Sequence, residues 1–396
     1  NYIDRAQFYT AGLTHLFNDD RGRFSVFYKY NETHPLTALA NYAPFTYDGD
    51  GKVSELKNFR MGRDSYLPVD GMMQYRDVKT GKLVTDNLYD IIKTRTHEAT
   101  ALLDYDLGNN LSLAVKGKFS HSKGHSGDQL TMGFYEDADA TYADNGDAFH
   151  GTIQRRLSQI NAFCVKDAML VAELQKKTAS HDWAFGINEL YSNIDYARST
   201  TQYYHEVAPN PRKLVYNGAE YANLNGSTEY DKGFENKLAA YVNDTWRVSR
   251  NFRMGYGARV ELFNLGVDYI GDKRFSDFHI GANYTDAEGN KKTVGTTHHT
   301  NTGLNYAVSV SPTYNITHNF GLTGEINFLR QYRHLEAYSG TTLPYYNNRP
   351  FILGRAGIFF NSSFVNLVSA FTYARRTNDY SRLTVMSENP NEDPVM

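Results

Sequence analysis

Hydrophobic and polar positions alternate along much of this chain with a period of two. From Leu304 to Ile316, the residues Leu304, Tyr306, Val308, Val310, Pro312, Tyr314 and Ile316 share one face, while Asn305, Ala307, Ser309, Ser311, Thr313 and Asn315 share the other. Leu111, Leu113, Val115 and Phe119 stand in the same way against Ser112, Lys116, Lys118 and Ser120, and Phe24, Val26, Tyr28 and Tyr30 against Ser25 and Lys29. Phe252, Met254, Tyr256, Ala258, Val260 and Leu262 repeat it against Arg253, Arg259 and Glu261. A helix needs a period near 3.6, which none of these segments has. They read as strands with one greasy face and one wet face that carries the charges.

On these terms the chain predicts twelve strands, near 5–17, 22–33, 91–107, 111–126, 152–177, 183–207, 229–248, 252–270, 303–317, 320–338, 350–361 and 364–379. Pro312 removes a ladder hydrogen bond and marks a candidate bulge. Alternation is poor around Lys166 to Ala172, so the segment 152–177 is expected to hold a bulge or to split into two elements. The connections alternate in length. Asn18 to Arg21, Gly108 to Asn110, Thr178 to Asp182, Ser249 to Asn251, His318 to Asn319 and Ser362 to Ser363 are tight polar turns. Between them run long polar excursions near 34–90, 127–151, 208–228, 271–302 and 339–349. Within these, Asp48-Gly49, Asp50-Gly51, Thr80-Gly81 and Glu288-Gly289-Asn290 predict the turns of smaller hairpins. Short turns at one end and long loops at the other are the habit of outer-membrane barrels, and a soluble β-sandwich has no reason to sort its loops by parity. Strands such as 183–207 and 252–270 exceed the about 9–11 residues that cross a bilayer, so they should project as a rim.

Composition sharpens this reading. Only 41% of the residues are hydrophobic, yet aromatics reach 14%, with 31 Tyr and 23 Phe. That balance suits aromatic girdles better than an aliphatic core. No unbroken apolar run exceeds five residues, so a membrane helix of about 20 is excluded and any span must be β. A net charge of -3, with 41 Lys and Arg scattered among 44 Asp and Glu, leaves no footprint for nucleic acid. Cys164, the lone cysteine, makes neither an internal disulfide nor a zinc cluster. The opening residues Asn1 to Arg5 lack the basic start and apolar core of a signal peptide, so an outer-membrane reading implies a processed chain or an internal piece.

The segment Leu238 to Leu262, LAAYVNDTWRVSRNFRMGYGARVEL, resembles a hairpin of TonB-dependent receptor barrels, in which an Asp and a nearby Trp close one strand and a Gly-x-Arg sits in the next. Here these are Asp244, Trp246, Gly257 and Arg259. Trp246 beside the short turn suits a periplasmic interface anchor, and Arg259 falls on the wet face. Trp183-Ala184-Phe185-Gly186 is similar to strand starts of the same family, and the loop Ala43 to Tyr66 resembles receptors from Bacteroidota. The resemblance implies that residues 1–396 are a partial receptor barrel: an all-β, antiparallel, up-and-down transmembrane β-barrel segment of about twelve strands, without the plug domain and without the last strands. It also implies an outer-membrane location in a Gram-negative cell and uptake of a scarce nutrient, whether siderophore, haem, cobalamin, glycan or peptide. The implied partners are outer-membrane lipid, the extracellular ligand, TonB acting through a plug outside this chain, and a surface lipoprotein. A passive porin-like barrel and a barrel hydrolase remain as alternatives.

Loop aromatics and cations are the first candidates for ligand contact, since they stack on rings and pair with anions. Arg60, Arg63 and Tyr66 form one group and Tyr345, Tyr346 and Arg349 another; packing of the loops on each other is the competing reading. His298 and His299 are adjacent, and adjacent side chains diverge on extended backbone, so they read as a solvated pair rather than metal ligands. Glu136, Asp137, Asp139, Asp144 and Asp147 lack the spacing of a calcium loop. His121 and His125 near Ser120 and Ser122 read as polar wall or rim residues, with no nucleophile elbow or zinc helix in the chain. Neither a cofactor nor catalysis is expected.

Overall fold

The structure, a computed structural model, describes residues 3–35, 39–40, 44–60, 62–224, 228–270, 279–286, 288–330 and 350–375. Period-two alternation has its expected consequence. Twelve strands, β1 (Ile3–Phe17), β2 (Gly22–Pro35), β3 (Lys93–Gly108), β4 (Leu111–Tyr142), β5 (Ala148–Lys177), β6 (His181–Glu206), β7 (Glu229–Arg247), β8 (Phe252–Tyr269), β9 (Thr297–Asn315), β10 (Phe320–Arg330), β11 (Phe351–Asn361) and β12 (Asn366–Arg375), form one sheet. Each pairs with its successor, always antiparallel. The last residues of the predicted strands 320–338 and 364–379 lie outside the described residues.

All six tight turns fall at one end of the sheet. The first two carry the left-handed backbone that Asn, Asp and Gly tolerate: Asn18, Asp19 and Asp20 have φ of 54, 56 and 63°, and Gly108, Asn109 and Asn110 have 86, 53 and 57°. At the other end the predicted small hairpins form at Phe45–Gly49 with Lys52–Glu55, at Met72–Arg76 with Leu83–Asn87, and at Asn283–Thr285 with Lys291–Thr293. A single helical turn, α1 (Leu88–Ile91), follows the second of them.

Three expectations need correction. The excursion 127–151 is not a loop: β4 and β5 run on as a ladder and turn at 143–147, because their alternate residues keep pairing above the bilayer-length segment. The irregular stretch Lys166 to Ala172 holds neither bulge nor break, since Lys166 to Ala172 pair in unbroken register on both sides. The segment 152–177 does hold an irregularity, but higher up, between Arg155 and Arg156, with another between Gly151 and Ile153, where Gly133 and Gly151 take φ of 159 and 155°. Pro312 does not add a residue either. The ladder of β9 to β10 lapses at Ser311 and Pro312 and resumes unshifted, as expected where proline offers no N–H.

Below the level of the long loops, the greasy face has no second layer among the described residues. Leu13 is 73% exposed, Val260 50% and Ile326 60%, and Leu304, Val308, Val310 and Tyr314 are all exposed in the same way. A soluble sheet of this breadth would cover that face. Among the described residues, the buried apolar clusters lie toward the long-loop end. Met73, Tyr75, Leu88 and Ile92 of the Met72–Asn87 hairpin and α1 pack on Ile160 and Tyr203, and Leu214 packs on Ile153 and Tyr204 from the opposite face.

Candidate functional site: the polar face and the loop rim

Strict register lets the wet face be read across strands. Lys29 of β2, Glu98 of β3 and Lys118 of β4 form a chain of ion pairs at 3.4 and 2.6 Å. Asp167 of β5 accepts hydrogen bonds from Ser120 at 3.1 Å and Ser192 at 2.6 Å. Glu173 accepts from Tyr241 of β7 at 2.7 Å and Gln175 at 2.5 Å. Further round, Arg198 pairs with Glu229 at 2.7 Å, and Arg259 of β8 donates to Glu261 at 2.7 Å and to Asn188 at 3.3 Å. Asn305 of β9 completes that group on Glu261 at 3.0 Å. The result is a hydrated wall of alternating sign, spanning strands far apart in sequence.

The predicted motif divides between the faces. Arg259 lies on the polar face, as its alternation with Tyr256 and Val260 requires. Gly257 stands beside it because a Cβ there would meet Asn243 Oδ1 at 2.2 Å and the Val242 carbonyl at 3.1 Å. Trp246 is on the greasy face beside the short turn and stacks on His181, with ring centroids 5.8 Å apart. Asp244 also lies on that face, in one cross-strand row with Trp183 and Tyr256. It accepts hydrogen bonds from His181 Nδ1 at 2.6 Å and Tyr256 Oη at 2.7 Å, and is only 8% exposed. Sequence reasoning missed His181 and Tyr256; only the register of β6, β7 and β8 brings them to Asp244.

At the rim, Arg63 and Tyr66 have partners within their own loop. The Arg63 guanidinium clasps Asp64 at 2.6 and 2.7 Å, Asn210 donates to Asp64 at 3.0 Å, and the Arg60 amide donates at 2.7 Å. Arg63 first, and these donors with it, hold the Asp64 carboxyl well below the usual carboxylate range. Tyr66 stacks on Phe59 at 3.9 Å. Arg60 is exposed, while Tyr345, Tyr346 and Arg349 lie outside the described residues. Two cations missed by sequence reasoning tie the loops together. Arg212 donates to Asp144 at 3.0 Å and covers the Tyr142 ring at 3.7 Å, and the buried Lys213 pairs with Asp70 at 3.0 Å. Burial pushes the neighbouring Tyr221 hydroxyl up to about 12.

Other sequence candidates separate. His298 donates toward Asp268 at 2.7 Å, while His299 takes the opposite face of β9. Asp139 pairs with His150 and Asp147 with Asn145, so the acidic stretch is spread along one hairpin. Ser120 and Ser122 lie on the polar face, and His121 and His125 on the other, so no serine and histidine of this set meet.

No protein-family model matches the sequence, and no curated protein matches it. Solved structures do. The ferric-catecholate import receptor Fiu from E. coli K12 in its closed form superposes with a TM-score of 0.52 at 13% identity, covering 93% of this chain and 51% of that one. The open form of the same receptor gives 0.53 at 14%, covering 93% and 52%. The chain therefore has the fold of a receptor β-barrel and spans about half the length of these relatives.

Proposed function

We propose that this chain is the wall and part of the extracellular rim of an outer-membrane receptor that takes up a scarce nutrient by TonB-dependent transport. One observation carries the reading: a twelve-strand antiparallel sheet with an exposed greasy face backed by a wall of paired charges. In water that face is a liability; in hydrocarbon it is the solvent contact. From Trp183 to Tyr191 along β6 the greasy stripe runs about 27 Å, or about 19 Å of depth at a 45° tilt, close to the apolar band of an outer-membrane barrel.

Each open edge in lipid leaves amides and carbonyls unpaired, at several kcal/mol apiece. Among the described residues β1 pairs only with β2 and β12 only with β11. Further strands outside the described sheet complete the barrel on this reading, and a plug domain outside this chain couples it to TonB. The ligand binds at the rim, which includes the Arg60 to Tyr66 loop, with Tyr345, Tyr346 and Arg349 as further candidate contacts by residue type, and passes along the polar face. Its class is an iron-siderophore, haem, cobalamin, a glycan or a peptide, and a surface lipoprotein is a further partner. The resemblance of the Ala43 to Tyr66 loop suggests a Bacteroidota source.

The test is energised uptake. In cells limited for one candidate nutrient, the full-length protein should fractionate with the outer membrane, restore growth, and lose uptake when the proton gradient is collapsed. Uptake that persists without the gradient identifies a passive porin-like barrel instead. Recovery in the soluble fraction overturns both.

A further inference from the structure

Above the greasy stripe, β4 loses one of its neighbours. The ladder of β3 on β4 ends where Lys93 meets His125, and β4 runs on to Tyr142. Two of the chain's own segments then use the bared edge. Leu39–Ala40 pairs in parallel with Asp128 and Gln129, and Leu214 and Val215 pair antiparallel with Tyr142 and Thr141. Between them, from Leu130 to Ala140, that edge has no strand partner among the described residues, while β5 occupies the opposite edge. A row of backbone N–H and C=O groups about 30 Å long is left open, bounded at both ends by strands already seated on it.

An open edge binds strands, and the surroundings narrow what this one takes. β4 carries an extra residue at Met132 and another beside Asp137, whose φ of 46° is left-handed. These bulges break the row into short runs, so neither a second copy of this sheet nor a long strand of another folded protein can extend along it. A short extended peptide can. The charge along the edge is acidic: Glu136, Asp137 and Asp139 are exposed, and among the described residues no cation pairs with Glu136 or Asp137. Asp139 stands 2.9 Å from His150 Nδ1 on β5. Both faces beside the edge also offer apolar contact. The register on β5 puts the exposed Phe134 on one face with Gln154, and Tyr135 and Ala138 on the other with Ile153. Alternate side chains of an added strand fall on these two faces.

We propose that the Leu130 to Ala140 edge of β4 binds a short, extended, cationic peptide by strand addition. Main-chain hydrogen bonds join the peptide to the edge, its Lys or Arg side chains meet Glu136, Asp137 and Asp139, and its apolar side chains lie against Phe134 or Tyr135. The inference rests on the receptor reading above and deepens it, naming a peptide as the class of ligand captured at the rim. Backbone bonds do not depend on the side chains of the peptide, so the edge accepts many sequences, while the carboxylates reject acidic ones.

The experiment uses the full-length protein in neutral detergent and three synthetic peptides of about eight residues, a length that fits within the open edge. One alternates Lys and Val, one has Glu in place of Lys, and one is the Lys peptide N-methylated at every internal amide, which keeps the charge and removes the donors. Titration should show the Lys peptide binding at least tenfold more tightly than either of the others. Bound Lys peptide should slow amide hydrogen exchange within residues 130–140. Glu136→Gln, Asp137→Asn and Asp139→Asn together should weaken its binding about tenfold and flatten the dependence on salt; Asn keeps the left-handed backbone at position 137. Glu288→Gln, in another loop, should leave binding unchanged. A methylated peptide or a Glu peptide that binds as well as the Lys peptide overturns the proposal. So does protection that falls outside residues 130–140, or a triple variant that binds as the parent does. Failure of the receptor reading shows separately, as protein that does not fractionate with the outer membrane or as uptake that ignores the proton gradient.

Discussion

Placing a guanidinium at Val308 separates a lipid-facing sheet from a water-facing one. Val308 lies on the greasy face of β9 between Ala258 and Phe328 and is 46% exposed. The stripe on β9 runs from Leu304 to Tyr314, about 34 Å of strand or about 24 Å of depth at 45°, and Val308 sits within about 4 Å of its centre. Arg at the bilayer midplane of a barrel costs about 2–4 kcal/mol. That is about 30- to 1,000-fold in the folding equilibrium. Ser309→Arg, one residue on, enters the polar wall between Gly257 and Asn327 and should cost within about 0.5 kcal/mol. If water covered the greasy face, both substitutions would be surface changes of that small size. The assay is reversible urea unfolding of the protein in lipid vesicles, followed by the fluorescence of the two tryptophans, which both sit at the lower margin of the stripe. Equal stabilities for Val308→Arg and Ser309→Arg in lipid refute the assignment of the faces.

Glu189 places a carboxylate within the stripe on that face, flanked across the ladder by Leu170 and Leu238, so Glu189→Gln should raise stability in vesicles by about 1 kcal/mol; no gain means that the carboxylate reaches water. Asp244→Ala leaves His181 and Tyr256 without their acceptor and should cost about 1–3 kcal/mol, with a shift in Trp246 emission as its stack on His181 loosens. The Asp64 carboxyl titrates lower in the folded protein than the unfolded reference near 3.8, so its contribution is complete above that pH and is lost as pH falls through the folded value. Proteolysis between residues 56 and 70 should accelerate there, and Asp64→Asn should show the faster cutting already at pH 7. The isolated 396-residue chain should give no steady single-channel conductance in planar bilayers, and a sealed, reproducible channel contradicts the argument from the edges of β1 and β12, which are unpaired among the described residues.

Much of the wall is legible in the sequence because period-two alternation is local. Each residue of Leu304 to Ile316 declares its face without knowledge of its neighbours in space, and each tight turn carries the Asn, Asp, Ser or Gly that its backbone needs. The extension of β4 and β5 through residues 127–151 is hidden because above the greasy stripe both faces are wet or covered, so alternation carries no signal there. Tyr203 and Tyr204 show why: they are adjacent, buried, and packed on opposite faces by loop hairpins. The partners of Asp244 are hidden for a different reason. His181, Asp244 and Tyr256 belong to three strands, and their meeting depends on two registers that no single strand encodes. Arg63 and Tyr66 are chemically apt for a ligand by residue type alone, and only the folded loop shows that Asp64 and Phe59 stand against them.

The charge pattern of the polar wall bears on where selectivity resides in the proposed receptor. Lys29 and Lys118 share Glu98, Lys237 pairs with Glu235, Arg198 with Glu229, Arg247 with Asp182, and Arg259 with Glu261. Each pair is close enough that its field beyond a Debye length of about 8 Å is largely cancelled. A wall built this way offers many hydrogen-bond donors and acceptors without a deep well for either sign of charge. A ligand in transit can exchange contacts with it and still leave, which uptake requires and tight recognition does not. Recognition then has to come from the rim, where the long connections add aromatic rings and cations that the wall has already spent in pairs.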